Sequence, residues 1–144
     1  MRFFSVILVL WFVSSCSSGP EPINYGEDAC EFCRMTIVDS QHAAQLVTEK
    51  GRNYKYDAIE CMINDLNQWE RPPVEIHLVA DYASPGSMTD ALKANYLISE
   101  EIPSPMGAYL SGFSSESDRN NTHQSVGGDR FNWEQLRLYW DENY

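Results

Sequence analysis

The feature that most restricts the fold is a change of hydrophobic period at Asp57. Before it, Ala43–Thr48 and Asn53–Tyr56 read as the arms of a hairpin, with Lys50-Gly51 at the turn. From Asp57 to Trp69 the residues Ile59, Met62, Ile63, Leu66 and Trp69 recur at helical spacing on one face. Asp57 stands at the expected N-cap, and Glu60 three residues on completes a capping-box pattern. Pro72-Pro73 stops the helix. Val74–Val79 then returns to a period of two, with Val74, Ile76 and Leu78 alternating.

The second half runs in a similar style after a turn at Ser84-Pro85-Gly86. Ala94–Ser99 and Gly107–Phe113 read as strands, and Ser114–Ser125 as a polar, weak helix. Gly127-Gly128 marks a turn. Trp133–Trp140 reads as a short helix with Trp133, Leu136 and Trp140 on one side, a packing stripe. Strand, strand, helix thus occurs twice, which suggests a degenerate internal duplication with halves of about 29–82 and 83–144.

The amino terminus reads as an export signal. Met1-Arg2 is a short basic segment, and Phe3–Val13 is an apolar run of eleven residues broken by Ser5. A bilayer span needs about 20 residues, so this run is too short to cross as a stable helix. It fits the apolar core of a secretory signal. Val13-Ser14-Ser15-Cys16 resembles a bacterial lipobox, which implies cleavage after residue 15 and lipidation of Cys16. Residues 16–28, with two prolines and two glycines, read as a tether from the lipid to the folded part at 29–144. The expected location is the periplasmic side of the cell envelope. Ser17, in place of an acidic residue after the lipidated cysteine, points to the outer membrane. The net charge of −11 repels phosphates and argues against nucleic-acid binding.

Four cysteines are present. With Cys16 consumed by the lipid, Cys30, Cys33 and Cys61 remain, and an odd set cannot complete a disulfide framework. One bridge plus a leftover thiol is one reading, and thiolate ligation of a metal is the other. Chemistry concentrates in Cys30-Glu31-Phe32-Cys33-Arg34-Met35. A CxxC alone fits a redox pair, half a zinc site, a soft-metal site or a disulfide. Met35 shifts the balance. Cys33–Val38 reads as a strand whose alternation sets Cys33, Met35 and Ile37 on one face, so thiolate and thioether point the same way. Such a donor pair selects Cu(I) over zinc, magnesium or calcium. A redox pair of the thioredoxin kind sits at the start of a helix, whereas Cys33 enters a strand here. A zinc site wants four ligands, and neither a second CxxC nor a close histidine pair occurs.

Pro103-Ser104-Pro105-Met106-Gly107 is the second informative segment. A methionine in a stiff turn departs from the usual role of core filler and suits a thioether ligand delivered from the second half. Cys61 lies nearly opposite the Ile59–Leu66 apolar centre of its helix and is expected off the core. His42 follows a turn at Asp39-Ser40-Gln41 and could return as a nitrogen ligand, while His77 and His123 read as surface residues. No GxSxG, P-loop, GxGxxG or HExxH pattern occurs, so the residues indicate a binding protein and no catalytic set.

A lipobox, a CxxCxM, then YDAIECMIND and a late PSPMGAYLSGF together resemble the NosL family, copper-binding lipoproteins that accompany nitrous oxide reductase. The likeness runs from about Asp28 to Gly128. It implies an α+β fold of two small related halves, each with a few antiparallel strands and one helix. It also implies Cu(I) as cargo, with apo-nitrous oxide reductase and a NosDFY-type ABC transporter as partners. The cysteine–methionine pair carries over to Cys33 and Met35, and the second methionine to Met106. Cys30 is kept as a further candidate ligand. The alternative function is a thiol–disulfide oxidoreductase that uses Cys30 and Cys33 to keep a partner's copper ligands reduced.

Overall fold

The computed structural model describes residues 19–144. The signal-like run and Cys16 lie outside the described residues. Among the described residues, no helix is long and apolar enough to cross a membrane.

The hairpin and the change of period are both present. β1 (Ala44–Thr48) is buried along its whole length. β2 (Asn53–Tyr56) alternates, with Tyr54 and Tyr56 turned inward. α1 (Ile59–Asn67) follows, then β3 (Val74–Ala80) and a short β4 (Met88–Asp90). All pairs are antiparallel, and the four strands lie in the order β2-β1-β3-β4. The second sheet is built from β5 (Asn95–Ile98), β6 (Leu110–Phe113) and β7 (Asp129–Phe131), in the order β6-β5-β7. α2 (Glu116–Val126) connects β6 to β7, and α3 (Trp133–Asn143) ends the chain. The fold is α+β. The second sheet carries two helices, and β4, although it follows residue 82, pairs with β3 of the first sheet.

The two sheets share one core. Ile59, Met62 and Ile63 of α1 are fully buried, together with Tyr56, Val79, Leu110, Leu136 and Trp140. Each such apolar side chain contributes about 1.5–3 kcal/mol by leaving water. Gly112 allows the close approach of β6. A Cβ there would stand 3.2 Å from Ile59 Cδ1 and 3.1 Å from Val79 Cγ2. Trp140 and Leu136 of the expected C-terminal stripe are buried, and the Trp140 indole donates to Asn64 Oδ1 at 2.8 Å, tying α3 to α1.

Three expectations fail for identifiable reasons. No strand runs over Cys33–Val38, which contains one isolated bridge, Thr36 with Ala29. Arg34 takes φ of 66°, and that left-handed step breaks the alternation. Asp57 does not cap α1. Ala58 holds the N-cap position with no side-chain cap bond, because both members of the expected capping box are engaged elsewhere. The capping box that forms is at Asn132 and Gln135 of α3. The tether is also shorter than expected. Glu21 N–H donates to Asn53 Oδ1, Lys55 donates to Pro22 O, and Ile23 and Tyr25 pack on the core.

Candidate metal centre

The turn at Cys30–Cys33 is held from both sides. Cys30 N–H donates to Met35 O at 2.8 Å and Arg34 N–H to Cys30 O at 3.0 Å. Glu31 N–H donates to Lys55 O of β2 at 2.8 Å. The Glu31 carboxylate also lies 3.5 Å from the Arg71 guanidinium. Arg71 in turn bonds Asp65 of α1 at 2.9 Å and stacks over Tyr54 and Trp69. The turn is thereby fastened to the last residues of β2 and to the helix that follows.

This arrangement lays the turn against the start of α1. Cys30, Cys33, Asp57 and Cys61 each place one donor atom within 4.8 Å of the others. Asp57 follows directly after β2, and Cys61 lies in the first turn of α1, where the helix dipole favours negative charge. All three cysteines are free thiols. Cys30 and Cys61 are buried and Cys33 is half-buried. The Cys33 thiol donates to Asp57 Oδ1 at 3.4 Å. The Cys61 thiol hydrogen-bonds to Cys30 and draws its pKa down to about 6. Burial pushes Cys33 up to about 11. Cys61 is pushed far up, because its proton is held by the Cys30 thiolate and because it is buried. A cation entering the cluster would displace the thiol protons, as thiolate ligation requires.

Met35 and Met106 lie outside this knot of thiols. Met35 is 55% exposed and Met106 43% exposed. Met35 lines a groove of about 360 Å³ together with Asp57, Pro103, Ser104 and Pro105, so the segment leading into Met106 forms the opposite wall. Asp57 belongs to both groove and cluster. The Met106 turn is fastened from below. Ser104 donates its hydroxyl to Glu60 Oε1 and accepts from Tyr109 N–H at 2.9 Å. Gly107 closes the turn at φ of 78°, with its N–H donating to Ser104 O at 3.0 Å. Burial raises the pKa of Glu60, and the Ser104 hydroxyl opposes that rise.

The structure thus brings Cys30 and Cys33 together and sets Met35 on an adjoining groove, while Met106 is an exposed residue that follows the Pro103–Pro105 wall in the chain. It places Cys61 in the cluster, against expectation. The helical face away from Ile59 and Leu66 is covered by the cysteine turn, so the thiol is buried. Asp57 and Glu60 were also unassigned as site residues. The signal for both lay in the capping-box pattern, whose two carboxylates serve other partners. His42 is outside the cluster. Its Nδ1 is 2.8 Å from Asp39 Oδ2 and its Nε2 is 3.2 Å from Ser111 Oγ, which ties the first sheet to β6. His77 is partly buried, with Nδ1 unpartnered and its pKa lowered by burial.

A donor set of three thiols and a carboxylate fits a soft or borderline cation, and the nearby thioethers strengthen the soft character. The NosL family model matches residues 23–138. No curated protein matches the chain. Among solved structures, the crystal structure of the copper chaperone NosL from Shewanella denitrificans superposes with a TM-score of 0.70 at 17% identity, covering 82% of this chain and 95% of that one. The shared architecture and the match across most of the described residues agree, and this chain belongs to the NosL family.

Proposed function

We propose that this chain is an exported, lipid-anchored carrier of Cu(I) that supplies copper for the assembly of nitrous oxide reductase. It acts by binding and release, with no reaction of its own. One observation carries the reading. Cys33 is the half-buried thiol of the cluster, and Asp57, which accepts its hydrogen bond, lines the groove shared by Met35 and the Pro103–Pro105 wall. A sulfur-rich mouth of this kind can hold a soft cation and still leave a face open to a partner. Family membership and the copper chaperone with the same fold support the choice of copper.

The ligands in this reading are Cys33, Met35 and Met106, with Cys30 behind them. Handover proceeds by ligand exchange. Exposed thioethers leave first, because they are neutral and weakly held, and a recipient's donors then replace the Cys33 thiolate. Glu60 sets the position of the Met106 turn through Ser104. Lipidation at Cys16 would keep the carrier on the periplasmic side of the envelope, in the outer membrane. There it would meet apo-nitrous oxide reductase and a NosDFY-type transporter.

Anaerobic titration with Cu(I) against a competing chelator tests the reading. Cys33→Ser combined with Met35→Leu should fail to hold copper that the parent retains. Equal retention by the two would refute the site. A thiol–disulfide oxidoreductase role is disfavoured by the same geometry. Attack on a disulfide requires an accessible thiolate. Here the low-pKa thiol, Cys30, is 0% exposed, and the accessible one, Cys33, is raised to about 11. Failure of the protein to form a mixed disulfide with a small disulfide reagent is the expected result.

A further inference from the structure

A cavity of about 540 Å³ opens in the second half, and no residue of the thiol cluster lines it. That volume is within the range of ligand sites, about 300–1,000 Å³. Its wall carries three carboxylates, Glu100, Glu101 and Asp129, and three phenol rings, Tyr109, Tyr139 and Tyr144. No Lys, Arg or His lines it. None of the three carboxylates forms an ion pair among the described residues, whereas Asp28, Asp65 and Glu116 pair with Lys55, Arg71 and Arg119. Like charges gathered in a concave wall focus the potential, and the faces of tyrosine rings attract cations. A fourth carboxylate stands behind the wall. Glu60 is 2% exposed, and its Oε2 has no hydrogen-bond partner among the described residues. Burial, Tyr139 and the Glu60 charge together raise the pKa of the Tyr144 phenol, so Glu60 lies near a ring of the cavity. A cation held there would also act favourably on this buried oxygen, because charges interact strongly through a low-dielectric wall. The rim is fixed in place. Tyr109 takes φ of 60°, uncommon for a large side chain. Its N–H donates to Ser104 Oγ at 2.9 Å and its carbonyl accepts from Ser99 N–H at 3.1 Å.

We infer that this cavity receives the cationic side chain, arginine or lysine, of a basic segment on a partner protein. Arginine satisfies both parts of the wall, because its planar guanidinium stacks on an aromatic face while its N–H groups donate to carboxylates. Tyrosine and arginine are also the residue types that dominate binding at protein interfaces. The net charge of −11 favours encounter with a basic partner. The position of the cavity says what such a contact achieves. The segment 103–109 lines the Met35 groove with Pro103, Ser104 and Pro105, and it lines the cavity with Ala108 and Tyr109. A partner anchored in the cavity is therefore held beside the mouth of the groove. The inference deepens the carrier reading and rests on it for the purpose of the contact, although the metal ion takes no part in the contact itself. A free polyamine offers the same ammonium chemistry and is the competing source of the cation.

The test is a nuclear magnetic resonance titration of the full-length protein in detergent, at about 0.15 M salt, where distant surface charges are screened. The probes are a glycine–arginine–glycine peptide capped at both ends, the same peptide with neutral citrulline in place of arginine, and spermidine. The arginine peptide should shift the backbone signals of Tyr109 and Gly128 to saturation, and the citrulline peptide should leave them in place. Glu100→Gln with Glu101→Gln and Asp129→Asn should weaken the arginine peptide by about tenfold or more. Tyr109→Leu should weaken it about two- to fivefold. If thermal melting shows that this variant does not fold, Tyr144→Leu, at a side chain 71% exposed, supplies the second ring variant. Glu49→Gln with Glu70→Gln and Glu75→Gln makes the same change in net charge outside the cavity and should stay within about twofold of the parent. Equal weakening by the two triple variants would reduce the effect to diffuse charge and overturn the site. Spermidine held where the arginine peptide is not would assign the cavity to a free polyamine and overturn the partner. No shift with any probe would overturn the inference outright. Cu(I) retention, measured in parallel by chelator competition, should be the same in the cavity variants as in the parent. Failure of the parent to hold Cu(I) would remove the carrier reading and leave the peptide result standing, whereas failure of the peptide with Cu(I) retained would remove this inference alone.

Discussion

The two halves of the molecule share a topology and differ in chemistry. In the first, the β1–β2 hairpin leads through α1 to β3, which returns to the free edge of β1. In the second, the β5–β6 hairpin leads through α2 to β7, which returns to the free edge of β5. The corresponding helices could hardly be more different. α1 buries Ile59, Glu60, Cys61, Met62, Ile63 and Asp65, whereas α2 buries Arg119 alone. α1 is enclosed because it touches β1 and β2 of the first sheet and β6 of the second, while α2 packs chiefly on β5 and β6 of its own sheet. A helix enclosed between sheets can hold thiols away from water and solvent oxidants. A helix on the outside cannot. The second half therefore contributes the fastened Pro103–Gly107 turn, and the first contributes the buried sulfurs.

The largest effect that would break this contrast is at Cys33. Cys33→Ser should lower retention of Cu(I) by more than the roughly 10–100-fold typical for loss of a residue behind a ligand, as measured by chelator competition. An unchanged affinity would remove the first half's claim to the site. Next in size is Glu60→Ala, which frees the Met106 turn from α1. It should cost about 10–100-fold in copper affinity, with Ser104→Ala moving the same way. If Glu60→Ala alters melting temperature but leaves copper binding untouched, the turn is structural only.

Gly112→Ala tests how closely the halves depend on each other. Its Cβ would crowd Ile59 and Val79, and overpacking of this kind costs about 1–3 kcal/mol. Urea unfolding should show a single transition at a lower midpoint. Two separate transitions would mean that the halves unfold independently. The thiol cluster adds a pH signature. Cys30 is depressed to about 6 from 9.0, so its thiolate stabilises the fold fully above pH 9, and this contribution is lost as pH falls toward 6. The metal-free protein should gain stability from pH 6 to pH 9, with a shallower slope in Cys30→Ser, because Cys33 and Cys61 do not share that direction. An identical slope would place the Cys30 thiol near its ordinary value. The smallest effect is the control in the second half. Asp118, third residue of α2 as Cys61 is of α1, should tolerate Asp118→Ser with no change in copper binding and within about 0.5 kcal/mol of stability.

Much of the framework is readable from local pattern. The β1–β2 hairpin, α1, β3 and α3 follow from apolar period and turn residues, because those signals act over a few neighbours. The repetition of strand, strand, helix anticipated the shared topology. β4 and β7, each three residues long, carry no pattern of their own and exist because β3 and β5 offer them an edge. Cys33–Val38 alternates like a strand, yet hydrogen bonds from Cys30 and Arg34 fold it into a turn. Asp57 and Glu60 have the spacing of a capping box. Only the proximity of Cys33 and Ser104 turns their carboxylates elsewhere.

The sequence by itself determined the sheet-and-helix order and the sulfur-bearing residues that could meet a soft cation, since both follow from residue type and spacing. Tertiary structure decided which of those residues meet. Cys61 faces away from the apolar stripe of its own helix, and it is buried because a turn nearly thirty residues upstream covers that face. Met35 is two residues from Cys33, and it faces a groove because Arg34 reverses the backbone between them. Contacts between segments distant in the chain set both outcomes, and no local period records such contacts.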